Sequence, residues 1–288
     1  MKPDDVAKGR SAVGSEAGTA ALHAAAVPGA VTRVARAGAT LRPAAPFLIA
    51  LIIWWGAWAL LRPPDIILVP PNKVFSALLD LVRQGLLDAF IKVSLERLAR
   101  GVLVGILIGV PVGWLLGLNE DVSRAAEPIL RFFNAVSGIA WLPLMILWFG
   151  FSERTISAII VYTMAFPVIF NTMLGVSTIP NRLPNACRTL GAGSLRIIKD
   201  VYVPGSFPSV MTGFRLGIGY GWRALIAGEF VVGGGGLGFL IFNARTQGNI
   251  AEVMGGMIVL GLLWLMIDRL ILSSVEQNII GRWGLMRT

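Results

Sequence analysis

The stretch Asn185–Pro204, NACRTLGAGSLRIIKDVYVP, is a basic, glycine-punctuated polar segment inside an otherwise apolar second half of the chain. Residues 185–190 predict a short helix, and the glycines from Gly191 onward allow the backbone to turn. A second run follows over residues 195–203, and Pro204 is expected to end it. A helix-turn-helix of this size cannot bury its own free face, so we expect it to dock on a partner. Its basic flanks predict a cytoplasmic location.

The composition indicates a polytopic membrane protein. The chain has 288 residues, of which 55% are hydrophobic and 14% charged, and its mean hydropathy is +0.73. A soluble domain has about 25% charged residues. The net charge of +9 is typical of basic cytoplasmic loops in a membrane protein, and no nucleic-acid partner is predicted. One Cys and one His exclude a disulfide framework and a His/Cys metal cluster within one chain, so no metal site is expected.

Six apolar stretches predict six membrane-spanning helices with the N- and C-termini in the cytoplasm. The first lies between Arg42 and Arg62, where no residue is charged, and basic residues precede it. The predicted spans are about residues 46–61, 98–118, 127–149, 155–176, 208–232 and 253–272. The fold class is therefore an all-α membrane protein, with a mobile cytoplasmic tail at 1–43, a transmembrane domain at 44–288 and an inner loop at 177–207.

Two features of these spans predict how the helices pack and where a path could lie. Glycines recur every four residues from Gly101 to Gly117, a small-residue stripe that predicts close approach of another helix. Prolines interrupt the third span, and proline at membrane depth frees a backbone carbonyl that only protein or water can satisfy. Trp141 and Met145 are therefore candidates for a translocation path, as is Asn171 in the fourth span. Between the first two spans, residues 62–97 predict an amphipathic helix on the outer surface.

The fifth predicted span carries ionisable residues, which inside a membrane face the bundle interior or a cavity. Arg215 lies near the inner end and can extend to the surface. Arg223 lies about 22 Å along the helix from Pro208, at 1.5 Å per residue. Two interpretations of Arg223 stay open: a buried pair with an acid such as Glu229, or a place on the path where it attracts an anion. Within one helix the two residues are about 240° apart, so an intrahelical pair is not expected.

No catalytic or nucleotide-binding motif is visible. The pattern G-x-x-x-x-G-K-[ST] does not occur, and the glycine run Gly233–Gly236 lacks a following Lys, so we interpret it as a flexible turn at the outer surface. No Ser/His/Asp or paired-carboxylate constellation is present. The chain is therefore not expected to be an enzyme, and the energy for any transport must come from elsewhere.

The opening segment carries a family resemblance. Counting from Asn185, Gly191 is the seventh residue, Val203 the nineteenth and Pro204 the twentieth, which resembles the spacing of the E-A-A, G and I-x-L-P loop of ABC importer permeases. Asn185 stands where that family usually has Glu. Further motifs resemble the nitrate/sulfonate/taurine branch: LVPPNKV at 68–74, WLPLMILWFG at 141–150, FPVIFNT at 166–172 and PSVMTGFRLGIGYGWRALIAGEF at 208–230.

The resemblance implies a type I ABC importer permease in the bacterial inner membrane. Its implied partners are a second copy of the chain, two ATPase subunits, a periplasmic binding protein and membrane lipid. ATP and Mg²⁺ would be bound by the ATPase, with no cofactor in this chain. The implied substrate is a small anion, such as taurine or another sulfonate, nitrate or a related organic anion. The loop would be the coupling helix, docked through Asn185, Ala186, Leu190, Gly191, Ala192, Leu195 and Pro204. The candidate path residues are Trp141, Met145, Asn171, Arg223 and Glu229.

An alternative of a different class is a secondary transporter or channel that needs no ATPase. Internal repeats, or intramembrane carboxylates coupled to protons, would favour it. The sequence has no visible repeat, and only Glu229, Glu252 and Asp268 lie in or beside the late spans. A membrane-embedded enzyme would need a catalytic cluster, which the sequence lacks.

Overall fold

The computed structural model describes residues 45–272, and all regular structure in this part of the chain is helical. The expectations for the tail at 1–43 and for the residues after 272 lie outside the described residues. The α-helices are α1 (Ala45–Leu61), α2 (Pro71–Arg83), α3 (Leu86–Gly117), α4 (Glu120–Ala135), α5 (Leu142–Phe149), α6 (Glu153–Ser177), α7 (Arg182–Thr189), α8 (Ser194–Ile197), α9 (Val203–Val232), α10 (Leu237–Thr246) and α11 (Ile250–Met266). A 3₁₀ turn occupies Gly138–Trp141, and π-helical turns occupy Ile198–Tyr202 and Ile267–Leu272.

By length and composition, the described residues contain three to five candidate membrane spans. Three helical runs qualify alone, namely α3, α6 and Ile250–Leu270. Two further runs qualify as bent pairs: α4 with Gly138–Phe149, bent by 81°, and Ser194–Val232 with α10, bent by 44°. The count of six spans stays a prediction.

The chain divides into two units, one ending at Arg62 and one beginning at Pro63. In the first unit, α1 has 17 residues, none of them charged, and no side chain is buried. A helix that is apolar on every side is suited to a lipid environment.

In the second unit, the amphipathic helix predicted between the first two spans is α2, which buries Val74 and Leu81. Two predicted boundaries differ from the structure. Helix α3 begins at Leu86, twelve residues before the expected start of the second span, because Gly85 with a φ of 68° ends the preceding turn there. Helix α4 begins in the expected inner loop, where the Asn119 side chain caps it by accepting from the Asp121 N–H at 3.0 Å.

The core of this unit is formed by α3, α6 and α9. Helices α3 and α6 run parallel, since Gly101 in the middle of α3 faces Ile160 in the first half of α6, and Gly117 faces Val176 at the last turns of both. The intervening glycines of α3 face Met164, Val168 and Thr172 in the same register. Helix α9 runs antiparallel to α6 and also approaches it through glycines, Gly213 against Pro167 and Gly217 against Met164. The predicted role of the glycine stripe in close helix packing is confirmed.

We expect Gly113→Ala to lower the free energy of unfolding by about 1–3 kcal/mol, because the added methyl group overpacks a tight interface. A Cβ at Gly113 would lie 2.5 Å from the Thr172 Cβ and 2.9 Å from the Ile169 carbonyl oxygen, and a backbone atom cannot easily move away. The matched control is Gly261→Ala in α11, where a Cβ would meet nothing within 4 Å. Thermal unfolding in detergent micelles gives the unfolding midpoint of each variant. Equal midpoints for the two variants would contradict this account of the interface.

Candidate functional site

A break in the helical backbone lies between α4 and α5. Helix α4 ends at Ala135, and Val136 and Ser137 have extended backbone angles, with ψ of 116° and 133°. The Phe133 carbonyl accepts a hydrogen bond from the Tyr162 hydroxyl at 2.7 Å. Gly138 lies so close to Thr163 that any Cβ there would collide with it. Helix α6 therefore holds the break in place. Non-helical backbone at membrane depth occurs only where protein covers it or where it lines a water-filled cavity.

A cavity of about 760 Å³ lies beside this break. Its volume is within the range of about 300–1,000 Å³ that is typical of small-molecule sites. The walls come from the end of α4, the break, the middle of α6 and the middle of α9. Its polar lining residues are Arg131, Asn134, Ser137, Tyr162, Thr163, Asn171, Tyr220 and Arg223, and its apolar rings are Phe133, Phe166 and Phe170.

Two arginines line the cavity, and only one of them has a carboxylate partner. Arg131 donates from Nε to the Glu127 carboxylate at 2.8 Å. The Arg223 guanidinium lies 5.7 Å from the centroid of the Tyr220 ring, and none of the ion pairs among residues 45–270 includes it. A cation without a carboxylate partner gives the cavity a net positive charge, which attracts anions.

The structure brings two of the five predicted path residues to this cavity. Asn171 and Arg223 both line it, from α6 and α9 respectively, and the Asn171 side chain donates to the Pro167 carbonyl at 2.8 Å. Trp141 lies behind the wall, with its ring centroid 6.0 Å from that of Phe133. Met145 is buried in the apolar core.

Glu229 does not line the cavity but lies in a separate, fully buried ionic cluster. Its carboxylate accepts from Arg97 Nη1 at 3.1 Å, from the Ser94 hydroxyl at 2.8 Å and from the Gly238 N–H at 2.9 Å. Arg97 is 1% exposed and Glu229 is 0% exposed. Arg97 also pairs with the half-exposed Glu153 at the start of α6. Of the two interpretations left open for Arg223, a pair with Glu229 is not formed, because Arg97 from α3 holds the carboxylate.

The glycine run after α9 belongs to the same cluster. Gly233–Gly236 all have positive φ, between 77° and 104°. The Gly235 and Gly234 carbonyls accept from Arg97 at 2.7 and 3.3 Å. A Cβ at Gly236 would collide with the Glu229 carboxylate. The interpretation of this run as a flexible turn left out this role, in which its backbone closes over the buried ion pair. The positive φ of all four residues favours glycine, and at Gly236 a Cβ has no room.

The segment between α6 and α9 forms the predicted helix-turn-helix. Helix α7 ends in a Schellman motif: Gly191 has a φ of 81°, its N–H donates to the Arg188 carbonyl, and the Ala192 N–H donates to the Cys187 carbonyl, both at 3.0 Å. The turn leaves two apolar side chains outside, Leu190 at 87% and Leu195 at 85% exposure. Asn185 and Ala186 are also exposed, on α7.

The sequence predicted that Pro204 ends the second run. This prediction was wrong, because the helix continues through Pro204. The turn Ile198–Tyr202 is π-helical, and the Val203 N–H donates to the Ile198 carbonyl five residues earlier. A π turn shifts the hydrogen-bond register, so the missing N–H and the ring of Pro204 fall in the first turn of α9, where proline is tolerated. The run Ser194–Val232 is thus one helical rod. Within residues 45–272, no group of three His, Cys, Asp or Glu side chains could hold a metal ion.

Comparisons with known proteins bear on this arrangement. A family model described as "Binding-protein-dependent transport system inner membrane component" matches residues 101–276. The chain is 31% identical over 225 residues to the taurine transport system permease protein TauC of Escherichia coli, covering 76% of this chain and 82% of that one. It is 32% identical over 244 residues to the nitrate import permease protein NrtB of Leptolyngbya laminosa, covering 81% and 87%. A chain from inward-facing structures of the MetNI methionine ABC transporter shares the fold, with a TM-score of 0.56 and 20% identity over 68% of this chain and 98% of that one.

Proposed function

The chain belongs to the binding-protein-dependent transport system inner membrane components, as an ABC importer permease of the taurine and nitrate branch, and from this premise we propose that it carries a small anion into the cytoplasm in an ATP-driven cycle. The relatives reported above are named for taurine and nitrate transport, and each of these molecules presents a negatively charged oxygen group. The precise substrate of this chain falls within that chemistry, as a sulfonate, nitrate or a related organic anion.

The observation that carries the proposal is Arg223 in the cavity at the helix break. Its guanidinium has no carboxylate partner among the described ion pairs, and Asn171 lies on the facing helix. A guanidinium recognises planar oxyanions through paired N–H donors. The break places non-helical backbone beside the cavity, which at membrane depth is accommodated where protein covers it or where it lines a polar cavity. The cavity is therefore the section of the path where the anion is bound transiently.

The helix-turn-helix is the element that couples this cavity to ATP hydrolysis. Leu190 and Leu195 are almost fully exposed, which favours a partner that covers them, here an ATPase subunit. The docking residues are Asn185, Ala186, Leu190, Gly191, Ala192 and Leu195, with Pro204 in the first turn of α9. The rod Ser194–Val232 continues from this segment to Arg223, so a displacement of the segment moves the cavity wall. The ATPase can shift the permease between two conformational states only through a difference in its affinity for them.

The assembly has two copies of this chain, two ATPase subunits that bind ATP and Mg²⁺, and a periplasmic binding protein, with no cofactor in the permease itself. Its topology has six spans with both termini in the cytoplasm, a permease domain at 44–288 and a tail at 1–43. The alternative of a proton-coupled secondary transporter is not favoured. It needs a carboxylate that exchanges protons with the path, whereas Glu229 is 0% exposed and held by Arg97.

We expect Arg223→Gln to lower the rate of ATP-driven anion uptake by at least about ten-fold, because the charge that stabilises the anion on the path is lost. Arg223→Lys keeps the charge and should retain most of the rate. The measurement is uptake of radiolabelled taurine and of nitrate into proteoliposomes that contain the chain, its ATPase and its binding protein.

The matched control is Arg131→Gln in the same cavity, whose charge Glu127 already balances. This variant should change uptake less than Arg223→Gln. Uptake that continues without ATP, or that is equally fast in Arg223→Gln and the unaltered chain, would contradict the proposed function.

A further inference from the structure

We propose that the cavity selects an anion with a flat aromatic body, an arenesulfonate or an aromatic carboxylate, over a small anion that lacks such a body. This inference rests on the proposed function, in which the cavity is part of the path. It names the class of molecule that the walls fit.

The cavity is lined by aromatic rings that Trp141, which lies behind them, joins into one series. The ring of Phe133 lies 6.0 Å from that of Trp141, Trp141 lies 5.4 Å from Tyr162, and Tyr162 lies 5.0 Å from Phe166, centroid to centroid. Phe166 meets Tyr162 edge to face, at an interplanar angle of 73°. Such pairs hold one another's orientation, because offset and edge-to-face arrangements are preferred over others. The wall is thus a fixed aromatic surface rather than a set of loose side chains.

These rings border open space and do not fill it. Phe133, Tyr162, Phe166 and Phe170 all line the cavity and are each only partly buried. Rings that served the core alone would be covered on every side at the packing density of a protein interior. The uncovered faces therefore offer a flat ligand both contact area and edge-to-face geometry.

The positive charge comes from a different helix of the cavity wall. Arg223 and Tyr220 come from α9, whereas the ring series comes from α4, the break and α6. An aromatic acid can place its ring against Phe166 and its acid group near Arg223 at the same time. A small inorganic anion can use only the charge, and it would lose hydration without any apolar contact in return. A guanidinium that has no carboxylate partner among the described ion pairs, combined with an aromatic wall, thus favours the aromatic anion.

The test compares two sulfonates that differ only in their body. Radiolabelled benzenesulfonate and methanesulfonate are titrated against the full-length chain in lipid nanodiscs. We expect benzenesulfonate to bind at least about ten-fold tighter than methanesulfonate, because its ring buries additional apolar area. Phe166→Leu removes the ring but keeps an apolar side chain, and it should weaken benzenesulfonate about three- to ten-fold while leaving methanesulfonate unchanged.

Two further variants make the result specific. Phe90→Leu makes the same change at a ring pair outside the cavity, where Phe90 lies 6.3 Å from Phe239, and it should affect neither ligand. Arg223→Gln should weaken both sulfonates by a similar factor. Equal affinity for the two sulfonates, an unchanged Phe166→Leu variant, or no binding of either sulfonate would overturn the proposal.

The proposed function has a separate readout. If the complete transporter takes up nitrate or taurine in an ATP-dependent manner and the nanodisc experiment finds no preference for benzenesulfonate, the importer stands and the aromatic selection fails. If no anion is taken up with ATP, the proposed function itself fails.

Discussion

Replacing Arg97 by methionine is expected to lower the free energy of unfolding by about 3–5 kcal/mol, since removal of one partner leaves an uncompensated buried charge. Glu229 is 0% exposed and lies 132 residues after Arg97 in the sequence. Arg97 is its only cationic partner among the described ion pairs. The same change also removes the donors to the Gly234 and Gly235 carbonyls. The measurement is the SDS-induced unfolding of the purified chain in mixed micelles.

Two matched variants separate charge from packing. In Glu153→Gln the altered carboxylate is 52% exposed, so the loss should be well below that of Arg97→Met. In the double variant Arg97→Met with Glu229→Leu, both charges are gone and apolar side chains of similar size replace them, so part of the lost stability should return. If Arg97→Met and Glu153→Gln lost equal amounts of unfolding free energy, the buried Arg97–Glu229 pair would not be the main stabilising interaction of the cluster.

The cluster fixes the end of α9 that is remote from the helix-turn-helix. Arg97 comes from α3, Glu153 from the start of α6 and Glu229 from the end of α9, so three core helices meet there. At the opposite end of the rod, the Trp114 indole N–H donates to the Ser206 hydroxyl at 3.1 Å. Arg223 lies between these two attachments. Its position in the cavity therefore depends on both ends of the same helix.

Local pattern was sufficient to predict part of this arrangement. The glycine stripe from Gly101 to Gly117 has a spacing of four, which places all its members on one face of a helix, and this face packs on α6. Arg223 was a candidate because charge inside a span needs a cavity or a partner, and it lies on the cavity wall beside Asn171. In both cases the information lay within a few turns of a single helix.

The rest depended on tertiary contacts that no local pattern contains. Ser94 and Arg97 appeared in a stretch of alternating charges and were assigned to an outer surface helix, whereas α3 in fact extends back to Leu86 and carries them into the core. The signal in the sequence was Glu229 itself, because an acid inside a predicted span needs a cation to compensate its charge. The helix break falls at residues 136–137 and not at the prolines, because Gly138 allows close approach to Thr163 of α6 and the Tyr162 hydroxyl of α6 holds the Phe133 carbonyl.

The second large effect is expected at the helix-turn-helix, where Leu190→Asp should lower the ATP hydrolysis stimulated by the loaded binding protein by at least about ten-fold. Burial of a leucine contributes about 1.5–3 kcal/mol, and a carboxylate in its place adds a desolvation cost at the docking surface. Leu190 is 87% exposed in the chain alone, so the fold itself loses little. The thermal unfolding midpoint of the isolated permease should therefore stay unchanged.

A docking residue is identified by a variant that loses coupling to the ATPase but keeps the stability of the fold. Leu190→Met is the control, because it keeps an apolar side chain of similar volume. We expect this variant to retain both the stimulation and co-purification of the ATPase, whereas Leu190→Asp should lose both. Gly191→Asn tests the turn separately, because asparagine tolerates the φ of 81° and leaves Leu190 in place. If Leu190→Asp still co-purifies with the ATPase and is stimulated like the unaltered chain, the exposed leucines do not form the docking surface. The force that moves α9 would then have to enter the permease elsewhere.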